Sequence, residues 1–147
     1  MKKALPYIIM LFILHALREL TIIMLNTAIY DTPFPYNHAY LAPPKFLLNF
    51  SKWSLFILKV GFYFLYTWLY TFFSTIILRK LNMQKNIRFF KIFFWMIFLM
   101  ILSINALNYI AIQSSFLNQI LADMLYGIHT PFTIIIFVMY NYKKTFK

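Results

Sequence analysis

An uncharged apolar run of 21 residues, 92–112, constrains this 147-residue chain more than any other feature. A helix needs about 20 mostly apolar residues to cross the ~30 Å hydrocarbon core of a bilayer. Three further stretches have a comparable length, so the predicted spans are 5–30, 54–78, 90–112 and 116–140. The chain is 63% hydrophobic and only 12% charged, which a soluble domain of this length could not accommodate. We therefore expect an integral membrane protein.

The length of these runs also selects the fold class. Backbone amides in a bilayer must be bonded within helices or a closed barrel, and barrel strands have only about 10 residues. The sequence predicts one all-α domain over 1–147, a four-helix transmembrane bundle. An extracytoplasmic loop, 31–53, should join the first two spans, because its four prolines oppose a regular helix. Pro131 should loosen the fourth span just after His129.

The net charge of +11 is distributed unevenly around the predicted spans. Only Lys45 and Lys52 lie in the first connection, whereas ten of the 14 bases lie on the opposite side. Those ten are Lys2, Lys3, Arg79, Lys80, Lys85, Arg88, Lys91, Lys143, Lys144 and Lys147. Because cytoplasmic connections carry the excess of bases, both termini are predicted to be cytoplasmic. The lipid bilayer and its anionic headgroups, rather than nucleic acid, are the predicted partners of these bases.

Polar residues at membrane depth are the candidate functional residues, because ionisable groups there are costly and usually face a protein interior or a water-filled cavity. Arg18 and Glu19 are adjacent near the middle of the first span, and spacing places His15 beside Glu19 on one helix face. We expect Asp123 to be the counter-ion of Arg18 or Lys59 across the bundle. The predicted cluster comprises His15, Arg18, Glu19, Asn26, Asn105, Asn108, Asp123 and His129.

Three roles are possible for this cluster. Its side chains could form hydrogen bonds within the bundle, worth ~0.6 kcal/mol each; they could contact a membrane helix of a partner; or they could serve catalysis or transport. The chain has no cysteine, no H-E-x-x-H and no G-x-S-x-G motif. His15 and His129 are not spaced as metal ligands are, so the sequence predicts no metal site. It also predicts no set of catalytic residues and no cofactor. Only two glycines are present, which disfavours the closely packed moving helices of a transporter.

A short turn follows the charged first span: Arg18 and Glu19 precede Tyr30, Asp31, Thr32, Pro33 and Phe34. This layout resembles the small four-helix membrane proteins associated with bacterial exosortase systems, which carry an acidic residue late in the first span and an aromatic-Asp-Pro turn just outside it. In this chain Thr32 separates Asp31 from Pro33. The resemblance implies a bacterial inner-membrane location and an accessory role to an exosortase, the membrane transpeptidase that sorts proteins with a C-terminal signal. The transpeptidase depends on a cysteine, which this chain lacks.

The function expected from the sequence is that of a small accessory subunit that binds and supports a larger membrane protein or a protein-sorting complex. Its bulky aromatic faces, buried polar residues and extracytoplasmic loop suit that role. The turn at Tyr30, Asp31 and Pro33 belongs to the loop. The alternative is an intramembrane enzyme or small-solute carrier that uses Arg18, Glu19 and Asp123.

Overall fold

The computed structural model describes residues 3–30, 42–108, 111 and 114–145, and every regular element within these ranges is helical. The long helices are α1 (Leu5–Tyr30), α2 (Lys52–Lys80), α3 (Ile87–Leu107), α4 (Ser115–His129) and α5 (Pro131–Thr145), and two short 3₁₀ helices lie at Lys45–Asn49 and Gln84–Asn86. The first three long helices can each cross a membrane, and α4 with α5 supplies a fourth crossing if the bent pair is one span. The all-α prediction is confirmed for these residues.

Helix α2 is central to the packing, because α1 lies against it on one side and α3 on another. Helix α4 packs mainly on α3, and α5 on α1. One apolar cluster joins α1, α2, α3 and α5, and a second joins α1, α2, α3 and α4. The fully buried side chains of the two clusters include Tyr66, Tyr70, Phe98, Ile101, Leu121, Leu125 and Ile134. These aromatic and branched side chains form the helix–helix contacts around α2.

The end of the molecule where α1 stops and α2 begins carries the described part of the loop. Leu47 of the 3₁₀ helix Lys45–Asn49 packs in one apolar cluster with Leu25 of α1 and Leu55 of α2. The Ser51 hydroxyl then caps α2 by accepting a hydrogen bond from the backbone N–H of Ser54. Helix α2 consequently begins at Lys52, two residues before the predicted span.

The turn between α2 and α3 is a Schellman motif built on asparagine. Asn82 has a φ of 58°, the left-handed conformation that asparagine tolerates better than most residues. The N–H of Met83 donates to the carbonyl of Leu78 at 2.9 Å, and the N–H of Asn82 donates to that of Arg79 at 3.1 Å. Buried Met83 packs in the same cluster as Leu78, which completes the motif. This sharp turn lets α3 return along α2.

The fourth predicted span, 116–140, is not one continuous helix. Helix α4 ends at His129, α5 begins at Pro131, and the two are bent by 58°. Proline lacks the N–H that would continue the helix and disfavours helical geometry in the residue before it. Thr130 accordingly has φ −72° and ψ 146°, an extended conformation. The loosening predicted at Pro131 is confirmed, and it amounts to a complete break.

Candidate functional site

The break between α4 and α5 places His129 in the interior, where it is fully buried. Its Nδ1 donates to the Leu125 carbonyl oxygen at 2.9 Å, since that oxygen can only accept. Its Nε2 lies 2.9 Å from the hydroxyl oxygen of Thr67. The Thr67 hydroxyl also donates to the Tyr63 carbonyl oxygen at 2.7 Å. Both ring nitrogens of His129 are thus engaged by α2 and α4.

Aromatic rings enclose the His129 imidazole. Four of them, from α2 and α3, approach it in edge-on geometry with ring centroids 5.0–6.1 Å away. They belong to Tyr66, Tyr70, Phe94 and Phe98. Edge-to-face packing at such distances is favourable for aromatic pairs. The rings therefore fix the position of the helix end to which His129 belongs.

Two tyrosines of α2 bind the backbone that the break leaves open. The last carbonyls of a helix have no partner within it, and in a membrane they need one from the protein. The Tyr66 hydroxyl donates to the carbonyl of His129 at 3.2 Å, and the Tyr70 hydroxyl donates to that of Thr130 at 2.9 Å. Gly127, one turn earlier, accepts from the Thr130 and Thr133 hydroxyls at 3.0 and 2.8 Å. The break is therefore a hydrogen-bonded part of the fold.

The predicted pair of Arg18 and Glu19 forms, and it lies in the same interior. Arg18 is 2% exposed and its guanidinium is ion-paired with the Glu19 carboxylate, which is 19% exposed. The guanidinium carbon lies 5.6 Å from the ring centroids of both Tyr63 and Tyr66. Such cation–π contacts reach ~2 kcal/mol when desolvated. Tyr66 thus contacts the ion pair of α1 with its ring and the break between α4 and α5 with its hydroxyl.

Four other predicted site residues are distributed along the helices. His15 is half-buried, with its ring 5.1 Å from that of Tyr126 on α4. Asn26 is buried near the end of α1. Asn108 is buried and clamps the third connection, because its amide donates to the Ser114 carbonyl and accepts from the Ser114 N–H, both at 3.0 Å. Asn105 is half-buried, one turn before it.

Asp123 is not positioned as the sequence analysis expected. Its side chain lies on the exposed face of α4 and accepts a hydrogen bond from Gln119 at 3.1 Å. Arg18 pairs with Glu19 instead, and the Lys59 ammonium lies 5.4 Å from the ring centroid of Tyr30. In the described part of the chain, the structure brings Asp123 to neither base. The reason is rotational: α4 turns the face that bears Asp123 away from α1 and α2.

Two remaining predictions concern the loop and metals. Tyr30 is exposed at the end of α1, whereas Asp31 and Pro33 lie outside the described residues. Within the described ranges, no group of three or more His, Cys, Asp or Glu side chains could hold a metal ion. The geometry near Arg18 and His129 is thus one of hydrogen bonds, an ion pair and aromatic contacts.

The hydroxyl groups of α2 that organise this region are not among the site residues predicted from the sequence. They form a stripe along the helix at successive intervals of three, one, three, one and three residues: Tyr63, Tyr66, Thr67, Tyr70, Thr71 and Ser74, all of them buried. That spacing places them on one helix face. The sequence does contain a signal for them, because hydroxyls line one face of α2 and Pro131 interrupts another apolar segment. That combination could have identified Tyr66 and Tyr70 as the groups that cap the break.

Comparisons with protein-family models, with curated proteins and with solved structures give no match to this chain.

Proposed function

We propose that this chain is a small accessory subunit of the bacterial inner membrane that binds a larger integral membrane protein through one face of α4. The proposal includes a four-helix bundle with both termini in the cytoplasm. The distribution of bases supports that orientation, because the hairpin 79–91 and the two ends of the chain carry most of them. An even number of crossings, with α4 and α5 as one broken span, returns both ends to one side.

The observation that carries the proposal is an exposed acid in the middle of an apolar helix face. Phe116, Ile120, Asp123 and Gly127 are all exposed and follow one another at intervals of four, three and four residues. This is the spacing of a seam that packs against another helix. We call these four residues the α4 face.

The depth of Asp123 makes its exposure costly without a partner. It lies eight residues beyond the start of α4, or about 12 Å along the axis at 1.5 Å per residue. The half-thickness of the hydrocarbon core is about 15 Å, and charged groups at such depth normally face protein or water. An ionised carboxylate offers about four acceptor positions, and Gln119 engages one oxygen. A partner helix with a basic or amide side chain would satisfy the others.

Gly127 adds room for close helix contact on the α4 face. A Cβ atom placed on it would meet nothing within 4 Å in this chain. Small residues let membrane helices approach closely, so the partner backbone could approach the α4 face there. Phe116, 75% exposed, supplies a large apolar contact at the other end of the face.

The test is co-purification of a tagged chain from its native membrane in mild detergent, with the bound protein identified and quantified by mass spectrometry. Gly127→Leu should abolish retention of the partner, because the added side chain blocks the contact. Gly61→Leu is the matched control, since Gly61 on α2 is also exposed and a Cβ placed on it would also meet nothing within 4 Å. Asp123→Asn should weaken retention by about tenfold, or ~1.4 kcal/mol.

The outcomes separate clearly. One abundant partner that is lost with Gly127→Leu and kept with Gly61→Leu supports the proposal. Equal retention in both glycine variants, or purification of the wild-type chain alone, overturns it. The sequence Tyr30-Asp31-Thr32-Pro33, which resembles that of exosortase-associated proteins, makes a protein-sorting complex our proposed class of partner.

A small-solute carrier is the second candidate, and the broken fourth span favours it. Discontinuous membrane helices form the substrate and ion sites of many transporters. In this chain, however, the Tyr66 and Tyr70 hydroxyls already bind the carbonyls that such a site would offer to a cation. The accessory function is therefore the better supported of the two. Solute or proton flux through proteoliposomes that contain only the purified chain would reverse that order.

A further inference from the structure

A basic groove lies where α2 ends and α3 begins. Its volume is about 790 Å³, within the ~300–1,000 Å³ typical of sites for small ligands. The lining residues are Arg79, Gln84, Ile87, Arg88, Lys91 and Ile92. The groove is at the polar end of two apolar helices, which places it at the level of lipid headgroups.

The charge of the groove favours binding of an anion. Three of its six lining residues are cationic, and no acidic residue occurs anywhere in 79–91. The three acids of the chain, Glu19, Asp31 and Asp123, belong to other elements. The groove also includes the first turn of α3, where the helix dipole adds positive potential. A phosphate group is the anion that paired guanidinium groups bind best, through bidentate hydrogen bonds.

The apolar part of the groove distinguishes a lipid from a soluble phosphate. Ile87 and Ile92 line it beside the cations, and Ile92 is 57% exposed. Phe89, next to Arg88 in the sequence, is 62% exposed. A soluble anion would gain nothing from these side chains, whereas the glycerol and first methylenes of an acyl chain would cover them. Basic pockets between membrane helices are known to bind anionic lipid headgroups in this way.

We propose that this groove is a specific binding site for one anionic phospholipid, with its phosphate held by Arg79 and Arg88 and its acyl chain lying against Ile92. Lys91 adds positive charge on the next turn of α3, and Gln84 offers an amide donor to the headgroup. The site is independent of the α4 face and of any partner protein.

The experiment measures lipid binding to the full-length chain, delipidated in mild detergent, by native mass spectrometry with phosphatidylglycerol or phosphatidylcholine. The double variant Arg79→Gln, Arg88→Gln removes two cations from the groove. The double variant Lys80→Gln, Lys85→Gln removes two cations from the same hairpin but outside the groove, so the two variants have equal net charge. The groove variant should bind phosphatidylglycerol roughly thirtyfold more weakly than the wild type, and the control variant should stay close to the wild type.

Three results would overturn the proposal. Equal losses in both variants would mean diffuse attraction to surface charge. Equal binding of phosphatidylglycerol and phosphatidylcholine by the wild type would mean that the headgroup charge is not recognised. Displacement of the lipid by inorganic phosphate or glycerol 3-phosphate at the same concentration would mean a soluble anion is the ligand. If the groove variant does not fold, Arg88→Gln alone, compared with Lys85→Gln, provides the same test.

Discussion

At the residue scale, the Tyr66 and Tyr70 hydroxyls supply hydrogen bonds that the backbone at the break between α4 and α5 cannot make for itself. Tyr66→Phe and Tyr70→Phe keep both rings against His129 and remove only these donors. Each should lower the free energy of unfolding by roughly 0.6–1.7 kcal/mol, the range of hydrogen bonds between membrane helices. The quantity is measurable by denaturant titration in mixed micelles.

The control for the tyrosine variants is Tyr140→Phe, which makes the same chemical change at a side chain 69% exposed on α5. It should leave the unfolding free energy unchanged. If Tyr66→Phe and Tyr70→Phe are equally neutral, the hydroxyls do not hold the break.

The ion pair of α1 supports a second prediction at this scale. Glu19→Leu leaves the buried guanidinium of Arg18 without its counter-ion, which should cost about 3 kcal/mol of stability. The double variant Arg18→Met, Glu19→Leu removes both charges, so it should be more stable than Glu19→Leu alone despite losing the cation–π contacts. A double-mutant cycle on the unfolding free energy measures this coupling. Losses that simply add would show that the two charges do not depend on each other.

At the scale of elements, the break between α4 and α5 rests on Pro131. Pro131→Ala restores an N–H and releases Thr130 from its extended conformation, so the 58° bend should decrease. Spin labels at cysteines in place of exposed Phe116 and Met139 would report this, because the chain has no cysteine of its own. With 1.5 Å per residue, complete straightening lengthens the distance between their helix positions by roughly 4 Å.

The matched control for this variant is Pro6→Ala. Pro6 lies in the first turn of α1, where a missing N–H costs nothing and no bend depends on it. The same pair of labels should give an unchanged distance in that variant. An unchanged distance in Pro131→Ala as well would mean that the packing of Tyr66 and Tyr70, rather than the proline, determines the bend.

The elements differ in how much the sequence alone could predict of them. Span length depends on bilayer thickness, so 5–30 and 54–78 were located within a few residues of α1 and α2. Pro131 marked the place of the break for a local reason. The rotation of each helix depends instead on packing between helices, so Asp123 was expected beside Arg18 or Lys59 but is exposed. For the same reason the hydroxyls of α2 were not connected with the carbonyls they cap.

At the scale of the whole molecule, the number of membrane crossings decides which surfaces face lipid, and it is three if the bent pair re-enters and four if it is one broken span. The base distribution predicts four, because the terminal lysines should lie on the same side as the hairpin 79–91. Single cysteines replacing exposed Lys85 and Lys45 can be tested with a membrane-impermeant thiol reagent in intact cells, beside a C-terminal reporter fusion. We expect reagent to reach only the cysteine at position 45, and the reporter to be cytoplasmic. A reporter outside the cytoplasm, with position 85 still protected, would mean that α4 and α5 form a re-entrant pair. The α4 face could then not be a membrane-spanning surface, and the exposed carboxylate of Asp123 would lie near water instead of a partner helix.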